Sequence, residues 1–377
     1  MSHVIHLNTA GAGLMPAPVT EAMHDCLRRE ATGGAYETER YYDALLTDGV
    51  YRQLAAVLNA PAADLALFDS ATRAWCSVVD ALDLGPADRV LVTPYEYAGN
   101  LISLFTLRDR TGCRIEVIPT TPVGDLDLDW LSTNLDDDVA LVSVTHIPSG
   151  CGIVNPVAEI GRLLAPYRCF YAVDGCQSVG QTPTDVAEIG CQLFTGAGRK
   201  FLCGPRGTGF AYVAPELRAA LRPGFRDLHV ANVVSPTRFE VVDTSARVLE
   251  LAERTTAAVV GLSAALSHRG RYPDPEVYQA LRSVVADLPG VEEIAPGTVH
   301  SGLVSFRHAT LPAEEICAEL RERGINTWPI HGDHTPLFMG ERGVDRAVRA
   351  SVHWYNTVDE VAEFGRTLDK ILRSGLA

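Results

Sequence analysis

A chain of 377 residues, 47% hydrophobic and 21% charged, has the material for a large apolar core and a length that suits two domains or one domain with an appendage. Its net charge of −15 argues against nucleic acid and anionic membrane as partners, because both are themselves anionic. The nine cysteines show no CxxC pair and no zinc spacing, and no run has membrane-spanning length or the layout of a secretion signal; buried thiols in a reducing, cytoplasmic compartment, with no resident metal, are expected.

Taken in order, HLNTAGAGLMPAPV (6–19) reads as a short strand entering a Gly/Pro loop, and Pro18 starts the helical pattern VTEAMHDCLRREA. Residues 37–60 predict another helix, with Tyr41, Leu45, Val50 and Leu54 as its apolar positions. From residue 65 the pattern changes. LALF is a strand, and DSATRAWCSVVDAL is a small-residue loop opening a helix; RVLVT is a strand, and PYEYAGNLISLFTLRDR a loop and helix. RIEVIPT, VALVSVTH and CFYAVD are further strands. Alternation at this rate predicts an α/β fold whose mostly parallel sheet is covered by helices on both faces. Beyond FAYV, residues 238–270 carry a long helical pattern that could bridge to a second unit. From 276 to the end, LVSFRH and INTW are strands and AEEICAELRERG and VDEVAEFGRTLDKILRS helices, a compact α+β unit. The expected division is an arm over 1–20, a large domain over 21–250, a connecting helix over 251–275 and a small domain over 276–377.

The chemistry concentrates between Cys169 and Val213. CFYAV stops at an acid, Asp174; QLF leads through TGAG to Arg199 and Lys200, and GPRGTG follows. Two buried strands thus bring a carboxylate and an amine to loop ends with room for a ligand between them. Of 32 basic residues only Lys200 and Lys370 are lysines. Where positive charge alone suffices the chain uses arginine, which cannot become a neutral nucleophile near neutral pH; a lysine kept at this place is a Schiff-base candidate. Asp174 can hold a ring nitrogen protonated, or it can cap the next helix; Gln177 could donate to a ring oxygen. Ser70, Ala71 and Thr72 open a helix, so they suit either a phosphate or a plain cap. Tyr97 could stack on a planar ligand or belong to the core. Arg349 could clamp a carboxylate. His331 and His334, in IHGDH, could be acid–base groups or a metal pair; the absence of nearby carboxylates arranged with them argues against the metal.

Together LNTAGAGLMP, THIPSGCGIVNP, DGCQSVGQ, GRKFLCGPRGTGF, RFE and RASVHWYNT resemble the fold-type I pyridoxal-phosphate enzymes of the class V aminotransferase family, over nearly the whole chain. That group includes cysteine desulfurases, isopenicillin N epimerase-like proteins and C–S lyases. The resemblance implies an aspartate aminotransferase-like large domain with a seven-stranded-type sheet, a small C-terminal α+β domain, and pyridoxal 5'-phosphate as cofactor. It implies that Lys200 holds the cofactor covalently, Asp174 faces the ring nitrogen, and Gln177 and Ser149 lie near the phenolic oxygen. Tyr97 stands where the family usually stacks a histidine on the ring. Ala71, Thr72 and Arg199 fall at phosphate positions. Ala197 replaces the family's common serine, so Thr195, or Thr237 of a partner subunit, is expected to help there. Arg349 resembles the arginine that grips the substrate carboxylate, with Asn8, Ala10, Gly11 and His331 also near the substrate. A homodimer with shared sites is implied as well.

Desulfurases attack substrate sulfur with a cysteine on the loop that here reads INTWPIHGDHTPLFMGERG; it holds none, and His334 falls near the nucleophile position. The leading expectation is therefore a C–S β-lyase acting on a cysteine S-conjugate, with Lys200 as base and Tyr97 and His334 as further acid–base candidates. Epimerisation or decarboxylating oxidative deamination of a cysteine-conjugated natural product is the alternative, followed by transamination and desulfuration. An arginine-rich composition is compatible with a specialised-metabolite pathway. A ligand-sensing regulator is not expected, because LNTAGAG begins at Leu7 and the chain is acidic.

Overall fold

The structure is a computed structural model describing residues 4–270 and 272–374. The chain enters through β1 (Ile5–His6), and its helices Ala17–Gly33 and Ala35–Tyr41 lead to Val50–Leu58. The helix expected over 37–60 is broken by a π turn at Leu45–Gly49, which ends on Gly49, a poor helix former.

The large sheet follows in chain order: β2 (Leu65–Phe68), β3 (Arg89–Val92), β4 (Arg114–Val117), β5 (Val139–Thr145), β6 (Phe170–Asp174), β7 (Leu193–Ala197) and β8 (Gly209–Val213). Its order is β2-β8-β7-β6-β5-β3-β4, parallel except at β8, which runs antiparallel to both neighbours. This is the α/β sheet of seven strands that the sequence predicted. Alternation sorts its side chains. Tyr171, Val173 and Phe194 join one core with helices Val50–Leu58 and Val157–Leu164, while Ala172 and Leu193 join the other with Ala71–Val79 and Ala98–Thr111.

Next comes an exposed hairpin, β9 (Ala231–Ser235) and β10 (Arg238–Val241). The long helix expected over 238–270 is confined to Thr256–Ser267. RFEV alternates polar and apolar residues after a Pro236-Thr237 turn, a strand pattern that outweighs the helical spacing read across it. The remaining strands are β11 (Val291–Glu293), β12 (Leu303–His308), β13 (Ile325–Asn326), β14 (Trp328–His331) and β15 (Arg346–Ser351). Four of them form an antiparallel sheet, β11-β12-β15-β14, against helices Pro275–Ala286, Ala313–Glu322 and Val358–Ser374.

The arm links the two sheets. β1 pairs in parallel with β13, and Asn8 bridges to Ser351 at the end of β15. Further along, the Gly13 N–H donates to the Arg199 carbonyl (2.8 Å) beside Lys200. A Cβ on Gly13 would stand 2.6 Å from the Lys200 carbonyl oxygen, so only glycine passes here. No described helix is long and apolar enough to cross a membrane.

Phe306 on β12 is fully buried and lies opposite Val348, beside Arg349. Phe306→Ala is expected to destabilise the C-terminal layer by about 3–5 kcal/mol, read as a lower urea midpoint.

Candidate active site

Parallel strands end where their loops converge, and that edge carries the site. Asp174 closes β6 and is 6% exposed. Its Oδ1 accepts from the Cys176 N–H (2.9 Å) and its Oδ2 from Asn100 Nδ2 (2.8 Å). The turn after β7 delivers Lys200, half-buried, to the wall of a cavity. Burial is the main cause that lowers its proton affinity, and the Arg199 and Arg349 charges act in the same direction. Cys176 and Asp174 oppose them. An amine so placed gives up its proton more readily than a surface lysine, as a nucleophile and base must.

The cavity holds about 490 Å3. Besides Lys200 and Asp174, its wall contains Gln177, Arg199, Tyr97, His334 and Arg349, with Asn8, Ala10, Gly11 and Ser149 at the arm and β14–β15 side. At the opposite end Ser70 caps the nine-residue helix Ala71–Val79, accepting from the Arg73 N–H (3.1 Å), and Ala71 and Thr72 face the cavity. A helix N-terminus is a ready anion site. β8 begins directly beneath it: a Cβ on Gly209 would lie 2.2 Å from the Ser70 carbonyl carbon. Thr195 and Ala197 also line this region, and Arg206, Gly207 and Thr208 complete it.

Arg349 is 6% exposed and held only loosely, donating to the Ser149 carbonyl (3.3 Å) and to Asn8 Oδ1 (3.4 Å). Its Nε has no partner. Burial, then the charge of Arg199, pushes it down to about 10, so it stays cationic at neutral pH. Two long contacts and an idle Nε suit an incoming carboxylate. Gln177 differs from expectation. Its Nε2 already donates to the Ala10 carbonyl (3.1 Å), and the buried atom left without a partner is Oε1; a donation to a ring oxygen uses the second amide N–H. Arg199 is likewise tied to the arm, its guanidinium donating to the Gly11 carbonyl.

At the mouth, the Tyr97 and His334 rings are 6.4 Å apart and Tyr97 is 39% exposed. His331 does not reach the cavity wall. It lies behind His334, with ring centroids 5.5 Å apart, because a 3-10 turn at Gly332–His334 carries the two histidines to different sides. Thr237 also lies off the wall, exposed at the turn of the β9–β10 hairpin. Sequence reasoning missed Asn100, Arg206 and Trp328. Asn100 follows Tyr97 by three residues in EYAGN, the spacing that turns a helix's first turn back toward the strand ends. Arg206 stands in the quoted GPRGTG, whereas Trp328, 49% exposed and on the wall, gave no signal at all.

A half-buried lysine, a strand-end carboxylate, a helix N-terminus and the unpartnered Nε of Arg349 are a set of groups that pyridoxal 5'-phosphate and an amino acid would satisfy together. Fold and site thus define a pyridoxal-phosphate enzyme of fold type I. The model of the Aminotransferase class-V family matches residues 5–364, and the chain belongs to that family, with pyridoxal 5'-phosphate as its cofactor. It is similar to a probable cysteine desulfurase of Halobacterium salinarum, 28% identical over 385 residues that cover 97% of this chain and 91% of that protein. A probable cysteine desulfurase of Methanothermobacter thermautotrophicus is also 28% identical, covering 98% and 95%. Among solved structures, the cysteine desulfurase CsdA of Escherichia coli has a TM-score of 0.87 at 23% identity, over 99% of this chain and 96% of that one. The cystine C–S lyase C-DES, in complex with its product cysteine persulfide, has a TM-score of 0.85 at 22% identity over 98% of each chain. Both share the fold.

Gly209→Ala must displace the backbone at Ser70 and Ala71. Titration of the apoprotein with pyridoxal phosphate is expected to show affinity reduced by roughly tenfold, about 1.4 kcal/mol.

Proposed function

We propose that this enzyme is a C–S β-lyase that, with water, converts a cysteine S-conjugate into a thiol, pyruvate and ammonia. One observation carries the choice. Among the described residues the cavity wall holds a single cysteine, Cys176, and burial, then the Asp174 charge, pushes its thiol well above the ordinary range. The mouth segment Trp328–Thr335 contains none. Taking sulfur as a persulfide needs an accessible thiolate, so release of an intact thiol suits this wall better.

When bound, pyridoxal phosphate supplies an electron sink that acidifies the substrate's Cα–H. Ala71, Thr72 and Arg206 would hold its phosphate, and Asp174, fixed by Asn100 and the Cys176 N–H, would face its ring nitrogen. Arg349 grips the α-carboxylate, with Asn8 and the Ser149 carbonyl setting its angle. Lys200 takes the proton from Cα, since its buried amine is readily left neutral. The Cβ–S electron pair leaves with sulfur toward the mouth, where Tyr97, Trp328 and His334 surround the departing group. Hydrolysis of the three-carbon remainder yields pyruvate and ammonia.

A homodimer accompanies this reading. The β9–β10 hairpin exposes Val233 (82%) and Phe239 (54%) beside Thr237, an apolar surface suited to a second copy. The Tyr97–His334 pair favours one other reading, epimerisation, because it offers a second acid–base group at the cavity.

With a panel of cysteine S-conjugates, the holoenzyme is expected to release thiol and pyruvate in equal amounts, and Lys200→Ala to lose about 10²–10⁴-fold in rate. Inversion at Cα with deuterium uptake and without pyruvate would establish epimerisation instead, and carbon dioxide release would establish decarboxylation.

A further inference from the structure

Glu96 is a buried acid that the reaction above leaves unused. It lies in the loop between β3 and helix Ala98–Thr111, is 0% exposed, and has Tyr97 as its cavity-facing neighbour. Its Oε2 accepts from Thr145 Oγ1 (2.9 Å) and its Oε1 from Thr93 Oγ1 (3.2 Å). Thr145 ends β5 directly opposite Asp174 on β6, and the next N–H, of His146, donates to the Asp174 carbonyl (3.0 Å). Two carboxyls are thus mounted on adjoining strand ends.

Their surroundings differ. Asp174 faces the Asn100 amide, the Cys176 N–H and Lys200. Glu96 faces the hydroxyls of Thr93, Thr145 and Ser143, the Tyr171 phenol and Asp174 itself. No ion pair reaches Glu96 among the described residues. Two carboxylates out of water cannot both stay ionised at low cost, so one keeps a proton. The Asn100 and Cys176 N–H donors stabilise charge on Asp174, whereas a hydroxyl can accept from a protonated carboxyl as readily as it donates to an ionised one.

We propose that Glu96 is a positioning residue that stores a proton behind Asp174, so that one negative charge faces the cofactor ring, and a second is added when that proton leaves. Burial first, and then Asp174, pushes Glu96 up to about 7 from an ordinary value of 4.5, against the pull of the hydroxyls. The folded protein therefore binds more protons than the unfolded chain between these values. The stability that Glu96 contributes is complete below 4.5 and is lost as pH rises through about 7. The inference needs the cofactor and the position of Asp174, not C–S cleavage, and its test reads neither thiol nor pyruvate.

Thermal midpoints of holoenzyme and of Glu96→Gln, a neutral side chain of the same length, are to be compared from about pH 5 to about pH 8.5. Wild type is expected to lose ground relative to E96Q as pH rises. Cofactor dissociation constants supply an independent readout. Ionised Glu96 attracts a protonated ring nitrogen, so the E96Q to wild-type ratio should be near one at about pH 6 and several-fold higher at about pH 8.5. Glu96→Asp keeps a titrating carboxyl and should retain a pH-dependent step. A difference between wild type and E96Q that is constant across pH overturns the proposal, because a hydrogen-bonding role alone has no pH window. So does the same response in E96D and E96Q. Should E96Q fail to fold, E96D carries the test alone, and a stability profile without the pH step overturns the proposal.

Discussion

The site depends on keeping two cations out of water without giving either a permanent partner. Lys200 and Arg349 face one cavity; Arg349 raises the cost of charge on Lys200, and burial and Arg199 raise it on Arg349. Coulomb repulsion and desolvation both favour letting the lysine, whose ammonium is the stronger acid of the two, become neutral; the arginine cannot follow, because guanidinium keeps its proton. The asymmetry divides the labour: one group is free to move a proton, the other is bound to grip an anion. A true ion pair with either would be more stable and would leave the protein unable to do either task.

The cost is met by the scaffold. Asp174 and Lys200 sit on neighbouring strands, β6 and the turn after β7, so backbone hydrogen bonding fixes their separation. Arg349 comes from another sheet altogether, and the arm determines where it stands, through Asn8 on its guanidinium and Gly13 packed against the backbone of Lys200. The hydrophobic cores on either side of the large sheet supply the free energy that holds these polar groups in place.

Much of this was legible in the sequence because it was local. Asp174 ends an apolar run, Lys200 is one of two lysines, and the loop–helix at Ser70 has the composition of a cap. What was not legible depended on direction or partnership. His331 and His334 share one tetrapeptide-length segment, yet a single tight turn sends only the second to the cavity. Gln177 lines the cavity with its amide partly committed to Ala10, a contact 167 positions away in the chain. The 238–250 stretch was read as helix because its apolar spacing fits either period over so short a run; pairing of β10 with β9 decided the matter. Trp328 stayed invisible since an aromatic in a strand is ordinarily core.

The arm also sets an order of assembly. The Ala10 N–H donates to Ser351 Oγ and Thr9 Oγ1 bonds the Tyr355 hydroxyl, partners 341 and 346 positions apart. During synthesis residues 9 and 10 emerge long before residues 351 and 355 and must wait for them before they can settle. The large sheet can be complete while the cavity still lacks one side, so a nascent or truncated chain can hold a folded core and a lysine turn with no wall over it. Completion of the site thus reports arrival of the C-terminal sheet, and loss of that sheet would open the cavity before it unravelled the core.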